Sequence, residues 1–180
     1  LLQGVSATTV ELEILKQEIY LPEPNQTIYF DKLRMSSVES AIQLDSLIIS
    51  QKARDSTMSH ANFAIQKLKL SGVDFDKAFN DNDLAIRSIS IDKPQIKYHE
   101  ARVKTEADSS GFYKYFHKLT VDTIKLNNGI VDIETIRRSK INDLSFLLTN
   151  YSINREDWRK RKLISDVAIQ SFRAKNIEQE

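Results

Sequence analysis

The sequence contains no cysteine and has only four glycines and three prolines among its 180 residues. The absence of cysteine excludes disulfide bonds and thiolate metal sites. The scarcity of glycine and proline, beside twenty isoleucines, indicates β-strands with few tight turns. No apolar run approaches the roughly 18 residues that a membrane-spanning helix requires.

Neither sign of charge dominates, with 26 basic and 25 acidic residues and a net charge of +1. This balance gives no electrostatic case for nucleic acid as a partner. The hydrophobic fraction of 41% and charged fraction of 28% are ordinary for a soluble globular protein. The opening residues LLQGVSATT lack a methionine and a signal-peptide pattern, so we interpret the chain as a piece of a longer protein.

One apolar spacing recurs along the chain. In LAIRSISIDKPQIKY, residues 84–98, large apolar side chains occupy positions 84, 86, 89 and 91, at steps of two, three and two along the chain. This spacing fits neither a helix nor an uninterrupted strand. Five full copies and two partial copies occur, and three of the full copies start 21 residues apart, at 42, 63 and 84. The full copies are Ile28, Phe30, Leu33, Met35; Ile42, Leu44, Leu47, Ile49; Phe63, Ile65, Leu68, Leu70; Leu84, Ile86, Ile89, Ile91; and Leu119, Val121, Ile124, Leu126. The partial copies are Ile141, Leu144, Phe146 and Ile164, Val167, Ile169.

Two residues between apolar pairs would turn the second pair to the opposite face of a plain strand. A β-bulge keeps both pairs on one face and bends the strand. The alternative is a strand that passes from one apolar surface to another at a corner. Turn-forming residues follow three copies, at Ser71-Gly72, Asp92-Lys93-Pro94 and Asn127-Asn128-Gly129, and each leads into a second alternating run. The sequence therefore predicts a mainly β fold: an elongated, strongly twisted antiparallel sheet of bent strand–turn–strand units, with one or two short helices.

The exceptions to the β pattern are few. Residues 74–83 (DFDKAFNDND) and 154–162 (NREDWRKRK) are each interpreted as a short helix. Residues 104–111 are polar and loop-like, and they mark a candidate internal boundary in what we interpret as a single region spanning residues 1–180. Residues 10–21 are ambiguous, and their alternation favours strands.

The sequence carries no catalytic or metal-binding signature. The three histidines, His60, His99 and His117, lack ligand partners at chelating spacings. Acidic pairs at positions 11/13, 74/76 and 81/83 are interpreted as solvated surface, because their surroundings are polar. Glycine-rich phosphate loops, the GxSxG elbow and the HExxH motif are missing. We therefore predict a non-enzymatic protein that uses no metal or cofactor.

A basic segment follows residue 157. Trp158, Arg159, Lys160 and Arg161 are candidate contacts with an anionic surface, such as lipid head groups. The alternative is a solvated helix, because Glu156 and Asp157 adjoin the cations.

Residues 64–100, AIQKLKLSGVDFDKAFNDNDLAIRSISIDKPQIKYHE, resemble the AsmA-like proteins of Gram-negative envelopes, especially Bacteroidetes-type members. The resemblance lies in a strand ending in "lsGvdf", a short connector and "l.i.si.i.kP.i.i", and KLTVDTIKLNNGIVDIE looks like a further repeat; it covers roughly residues 28–177. It implies a periplasmic, TamB-like region behind an inner-membrane anchor, acting in lipid transport or outer-membrane biogenesis with other envelope proteins. In such proteins an apolar groove shields the acyl chains of phospholipids or related lipids.

Eight residues are the candidate lining of such a groove, or of a closed core: Leu84, Ile86, Ile89, Ile91, Leu119, Val121, Ile124 and Leu126. Two alternatives remain open. One is a structural or adhesive extracellular β module, which predicts a sheet with one polar face and no groove. The other is a β-helix carbohydrate-active enzyme, which the 21-residue step also suits.

Overall fold

A computed structural model describes residues 9–21, 26–51, 60–99, 116–135, 138–154, 156 and 168–179. Within these ranges the chain forms nine strands and a one-turn π-helix, and the predicted mainly β class is confirmed. The strands are β1 Glu11–Leu21, β2 Gln26–Ser36, β3 Ala41–Gln51, β4 His60–Val73, β5 Asp83–Asp92, β6 Gln95–His99, β7 Lys118–Glu134, β8 Arg138–Asn154 and β9 Ala168–Gln179; the π-helix is Lys77–Asp81.

Two segments interpreted from sequence have clear outcomes, and two others lie wholly or mostly outside the described residues. The ambiguous segment 10–21 forms β1, and the short helix expected within 74–83 is present as the π-helix. Asn82 caps the C-terminus of the helix and adopts the left-handed conformation with φ 55°. The polar segment 104–111 and most of the second expected helix, 154–162, lie outside the described residues.

All nine strands join one sheet in the order β1-β2-β3-β4-β5-β7-β8-β9. The remaining strand, β6, continues the line of β5, since both pair with β4 on one side and with β7 on the other. Neighbouring strands are antiparallel except that β7 runs parallel to β5 and β6. The sheet is therefore mixed, with eight strand positions side by side.

The tight turns expected at three positions do not reverse the chain. Gly72 lies inside β4 and Gly129 lies inside β7. Pro94 interrupts the line of β5 and β6, which keep one direction. At Pro94 and Gly129 the strand line bends and continues, whereas β4 ends at Val73, one residue after Gly72, and leads into the π-helix. The interpretation of these three positions as tight turns is therefore wrong.

The 21-residue step does not correspond to stacked rungs. Ile42 pairs with Leu70, and Phe63 pairs with Ile49 on one side and Ile96 on the other. The copies that start at 42, 63 and 84 are not stacked on one another, which removes the argument for a β-helix.

The apolar pattern becomes three continuous rows across the sheet. Each row crosses all eight strand positions through directly paired residues, and every member is apolar although only 41% of the chain is hydrophobic. Row 1 is Leu12, Met35, Ile42, Leu70, Ile89, Ile124, Leu148 and Ile169. Row 2 is Ile14, Leu33, Leu44, Leu68, Ile91, Leu126, Phe146 and Phe172. Row 3 is Ile19, Ile28, Ile49, Phe63, Ile96, Val131, Ile141 and Ile177.

The two-residue gaps between apolar pairs are also aligned from strand to strand. In β1 to β5 the gap of one strand faces the gap of the next, so the pairing continues beyond it without a register shift. Left-handed backbone occurs at the second residue of many gaps. These residues are Lys16, Ser46, Gly72, Lys93, Asn128, Asp143, Asn150 and Asn176. A left-handed residue in a gap returns the following apolar pair to the face of the preceding pair. Because facing strands have their gaps at the same place, the strands bend while the cross-strand register is kept over most of the sheet.

Candidate functional site: an open apolar face

Side chains on both sides of a gap point to the same face. Ile86 and Val121 precede a gap in β5 and β7, and Ile89 and Ile124 follow it. All four belong to one cluster around buried Val73. Of the two sequence interpretations of the gap, the structure therefore supports pairs that stay on one face, here called the apolar face.

The same continuity holds at the next gap of β7. A Cβ placed on Gly129 would lie 3.0 Å from Cδ2 of Leu126 and 3.2 Å from Cγ of Pro94. Leu126 precedes the gap and Gly129 follows it, so the apolar face continues past the bend. The same added Cβ would lie 3.3 Å from the carbonyl oxygen of Leu144, so glycine lets β7 pass close to Pro94 and to the backbone of β8.

Little of the apolar face is deeply buried. Six hydrophobic residues are buried among those described: Phe30, Val73, Ile86, Val121, Leu126 and Ile153. Most row residues on inner strands are half-buried, whereas several on the edge strands are exposed. The described part of the chain forms a single sheet, and apart from Phe75 beside the Val73 cluster it places no second layer over this face.

The eight candidate lining residues lie together in direct cross-strand pairs of β5 and β7. The pairs are Leu84 with Leu119, Ile86 with Val121, Ile89 with Ile124, and Ile91 with Leu126. Ile86, Val121 and Leu126 are buried and the other five are half-buried. The candidate anionic-surface contacts, Trp158, Arg159, Lys160 and Arg161, lie outside the described residues.

The opposite face is mostly polar. Neighbouring residues of a strand point to opposite faces, so positions between the row residues form this second surface. Glu13 pairs with Lys32 at 2.8 Å across β1 and β2, and Asn127 donates to Asp92 at 2.8 Å across β7 and β5. The sheet is therefore amphipathic, with one polar face and one apolar face.

Polar contacts also hold the gaps. The Tyr29 hydroxyl donates to Asp31, and this hydrogen bond lowers the pKa of the Asp31 carboxyl, with a further contribution from Ser46. Asp31 lies in the gap of β2, and Lys16 and Ser46 of the flanking strands are left-handed gap residues. The backbone NH of Asn128 donates to Oγ of Ser145 at 3.1 Å. These contacts stabilise the bends from the polar side.

One carboxylate in each of two acidic pairs, Glu13 and Asp74, has a cationic or backbone-amide neighbour. Asp74 accepts from the backbone NH of Lys77 at 3.0 Å, and its other oxygen lies 3.7 Å from Nζ of Lys77. Nδ1 of His99 lies 3.3 Å from a carboxylate oxygen of Glu134. Within the described ranges, no three His, Asp or Glu side chains are grouped as a metal site. A helix with the length and apolar content needed to cross a bilayer is likewise not found there.

Sequence reasoning assigned the alternating runs after Ile91 and Leu126 to second strands beyond a tight turn, and missed that they continue the same strand line. Ile96 and Val131 extend row 3 through β6 and β7, five residues after Ile91 and Leu126. The available signal was the regular step from one apolar pair to the next, which persists across Pro94 and Gly129. Comparisons of the chain with protein-family models, with curated proteins and with solved structures found no match.

Proposed function

We propose that the protein is a non-enzymatic lipid-shielding module, which holds acyl chains against the apolar face while their head groups remain in water. The observation that carries this proposal is the set of three unbroken apolar rows on a face that the described residues leave largely uncovered. Burying acyl chains there removes apolar surface from water on both partners, worth about 0.8 kcal/mol per CH₂ group.

The dimensions of the face suit this ligand. Eight strand positions at a spacing of about 4.8 Å give rows about 34 Å long. The acyl chains of one leaflet occupy about 15 Å, half of a hydrocarbon core about 30 Å thick. One face therefore has room along a row for the full length of an acyl chain.

We further propose that the protein works in the periplasm of a Gram-negative envelope, in lipid transport or outer-membrane biogenesis. This location is supported by the resemblance of residues 64–100 to AsmA-like proteins. Fractionation of cells that carry a tagged full-length protein tests the location independently of lipid binding.

Two neighbouring isoleucines of β3 provide a matched test of the apolar face. Ile49 belongs to row 3, whereas Ile48 points to the opposite face and is itself 40% exposed. We expect Ile49→Asp to lower the phospholipid that native mass spectrometry detects with the purified protein by at least tenfold. Ile48→Asp is expected to retain it.

Circular dichroism of both variants establishes that each is folded. Equal lipid content in the two variants, or no lipid on the wild-type protein together with no binding of a fluorescent phospholipid, would overturn the proposal. The second result would favour a structural β module.

A further inference from the structure

The three apolar rows reach both edges of the sheet. On β9, Ile169, Phe172 and Ile177 end the rows with 64%, 65% and 68% of their surface exposed. On β1, Leu12, Ile14 and Ile19 end them on the other side. Among the described residues, β9 pairs only with β8 and β1 pairs only with β2. Each edge strand therefore presents a backbone edge beside apolar side chains, which is a template for a further strand.

We propose that the β9 edge of one molecule pairs with the β1 edge of a second copy, so that the sheet and its rows 2 and 3 continue from molecule to molecule. The pairing proposed here does not require lipid. Its consequence, a longer shielding face, rests on the proposed function. Each added copy would lengthen the rows by eight strand positions.

The direction of the strands permits this continuation. From the pairing of each strand with the next, β1 and β9 run in the same direction. Two copies in the same orientation therefore meet as a parallel β9–β1 pair, and their apolar faces lie on the same side. Phe172 then stands opposite Ile14 of the second copy in row 2, and Ile177 stands opposite Ile19 in row 3. The five-residue step between these row positions is the same in both strands.

The charges on the two edge strands favour pairing of β9 with β1. Between rows 2 and 3, β9 carries Arg173 and Lys175, and neither forms an ion pair within the described residues. Over its whole length β9 also carries Glu178, which leaves it a net charge of +1. The β1 edge carries Glu11, Glu13 and Glu18 with one cation, Lys16, a net charge of −2, and Glu13 already pairs with Lys32 at 2.8 Å. A β9–β1 junction brings the basic edge beside the acidic edge.

Pairing of one β9 edge with the β9 edge of a second copy is disfavoured by the positive charge of Arg173. An antiparallel β9–β9 pair that aligns Ile169 with Ile177 of the partner places Arg173 directly opposite its own copy. Like charges directly opposite one another destabilise a strand pair. A contact between unlike edges generates rings or open chains of molecules rather than a closed dimer.

The absence of cysteine allows a direct test. Phe172→Cys and Ile14→Cys proteins are prepared separately, mixed and oxidised in the absence of lipid. Neighbouring strands bring the two Cα atoms within the 4.4–6.8 Å range of disulfides. We expect a disulfide-linked heterodimer at least tenfold in excess over the product of Phe172→Cys mixed with Ile48→Cys, which lies on an interior strand.

A double variant carrying both cysteines is expected to give a ladder of disulfide-linked oligomers. The charge-reversal variant Arg173→Glu with Lys175→Glu, without added cysteines, is expected to self-associate at least tenfold more weakly than the wild-type protein in sedimentation velocity. Two results would overturn the inference: a wild-type protein that stays monomeric at every concentration, or cross-linking no greater than that of the Ile48→Cys control. Predominant Ile14→Cys or Phe172→Cys homodimers would also overturn it, in favour of like edges. Lipid binding is measured separately, so loss of one proposal leaves the other intact.

Discussion

Leu84 of β5 lies directly opposite Leu119 of β7 in a parallel pair, and the same register continues from Asp83 with Lys118 to Asp92 with Asn127. The separation of 35 residues is therefore the offset between two parallel strands. Two copies of the apolar pattern meet side by side because their gaps and pairs are in phase. This pairing places the best-buried part of the apolar face, around Val121, in the middle of the sheet.

Truncation of the buried cluster should destabilise the fold, whereas truncation at the sheet edge should not. Ile86 is 5% exposed beside Val73 and Val121, and Ile169 is 64% exposed on β9. We expect Ile86→Ala to lower the free energy of unfolding by about 2–5 kcal/mol. Ile169→Ala is expected to change it by less than about 0.5 kcal/mol. Urea denaturation followed by circular dichroism measures both, and equal losses would contradict the assignment of the core.

Gly72 should not tolerate a side chain. Its φ is +66°, and an added Cβ would lie 2.6 Å from Cβ of Arg87 on the neighbouring strand. We expect Gly72→Ala to cost about 1–3 kcal/mol of unfolding free energy. Gly129→Ala should cost less, because its nearest contact is a flexible Leu126 methyl group at 3.0 Å. Arg87→Gly added to Gly72→Ala should recover part of the loss, since it removes the clashing Cβ; no recovery would mean that backbone strain alone is responsible.

The left-handed gap residues offer a way to stabilise the sheet. Lys93 has φ 48° and Lys97, four residues later in the same strand line, is not among the residues with positive φ. Glycine adopts a left-handed conformation without the Cβ penalty, but it weakens a regular strand. We therefore expect Lys93→Gly to raise the unfolding free energy by up to about 1 kcal/mol, and Lys97→Gly to lower it by about 0.5–1 kcal/mol. Thermal denaturation of the two variants side by side gives the ranking, and the reverse order would refute the role assigned to the gap.

One carboxylate should make stability depend on acid pH. Two hydrogen bonds from Arg138, at 3.0 and 2.7 Å, lower the pKa of Asp132. A carboxyl whose pKa is lowered in the folded state stabilises the fold above its unfolded pKa of about 3.9. That contribution is lost as the pH falls through the folded pKa. Because Arg138 is half-exposed, the effect should be below about 1 kcal/mol.

The comparison of Asp132→Asn with wild-type protein isolates this contribution. At neutral pH the variant should be slightly less stable, and the difference should shrink as the pH falls below 4. Urea midpoints at pH 7 and pH 3 measure it. A difference that is the same at both pH values would show that the ion pair is not responsible.

The strands could be predicted from sequence because the apolar spacing is a local property, and Ile42 to Ile49 or Leu84 to Ile91 carry it in full. Gly72, Pro94 and Gly129 are interpreted from sequence as chain reversals because glycine, proline and asparagine are common in tight turns. In this sheet Gly72 and Asn128 are instead left-handed gap residues, and Pro94 directly follows another one, Lys93. What distinguishes the two cases is the step that continues beyond them, from Ile91 to Ile96 and from Leu126 to Val131.

The parallel pairing of β5 with β7 could not be predicted. Several strands carry the same spacing, so any two of them match in pattern, and the apolar residues alone do not select which strands become neighbours or in which direction they run. The sequence also could not predict that the apolar face is left largely uncovered, because its half-buried row residues and its fully buried core residues are the same residue types. Ile89 and Val121 illustrate this, since one is half-buried and the other is 1% exposed.

The five-residue step acts as a unit of length for the strands. The longest strands, β7 and β8, have 17 residues, and β7 carries apolar pairs at 119/121, 124/126 and 129/131; β3 has 11 residues and carries two pairs. Insertion of a single residue into a strand would send every side chain beyond it to the wrong face. Insertion of five residues would add one pair and one gap, and at about 3.3 Å per residue would extend the strand by about 16 Å with the apolar face unchanged. The width of the apolar face can therefore change in whole blocks of five residues, independently of the number of strands that sets its length.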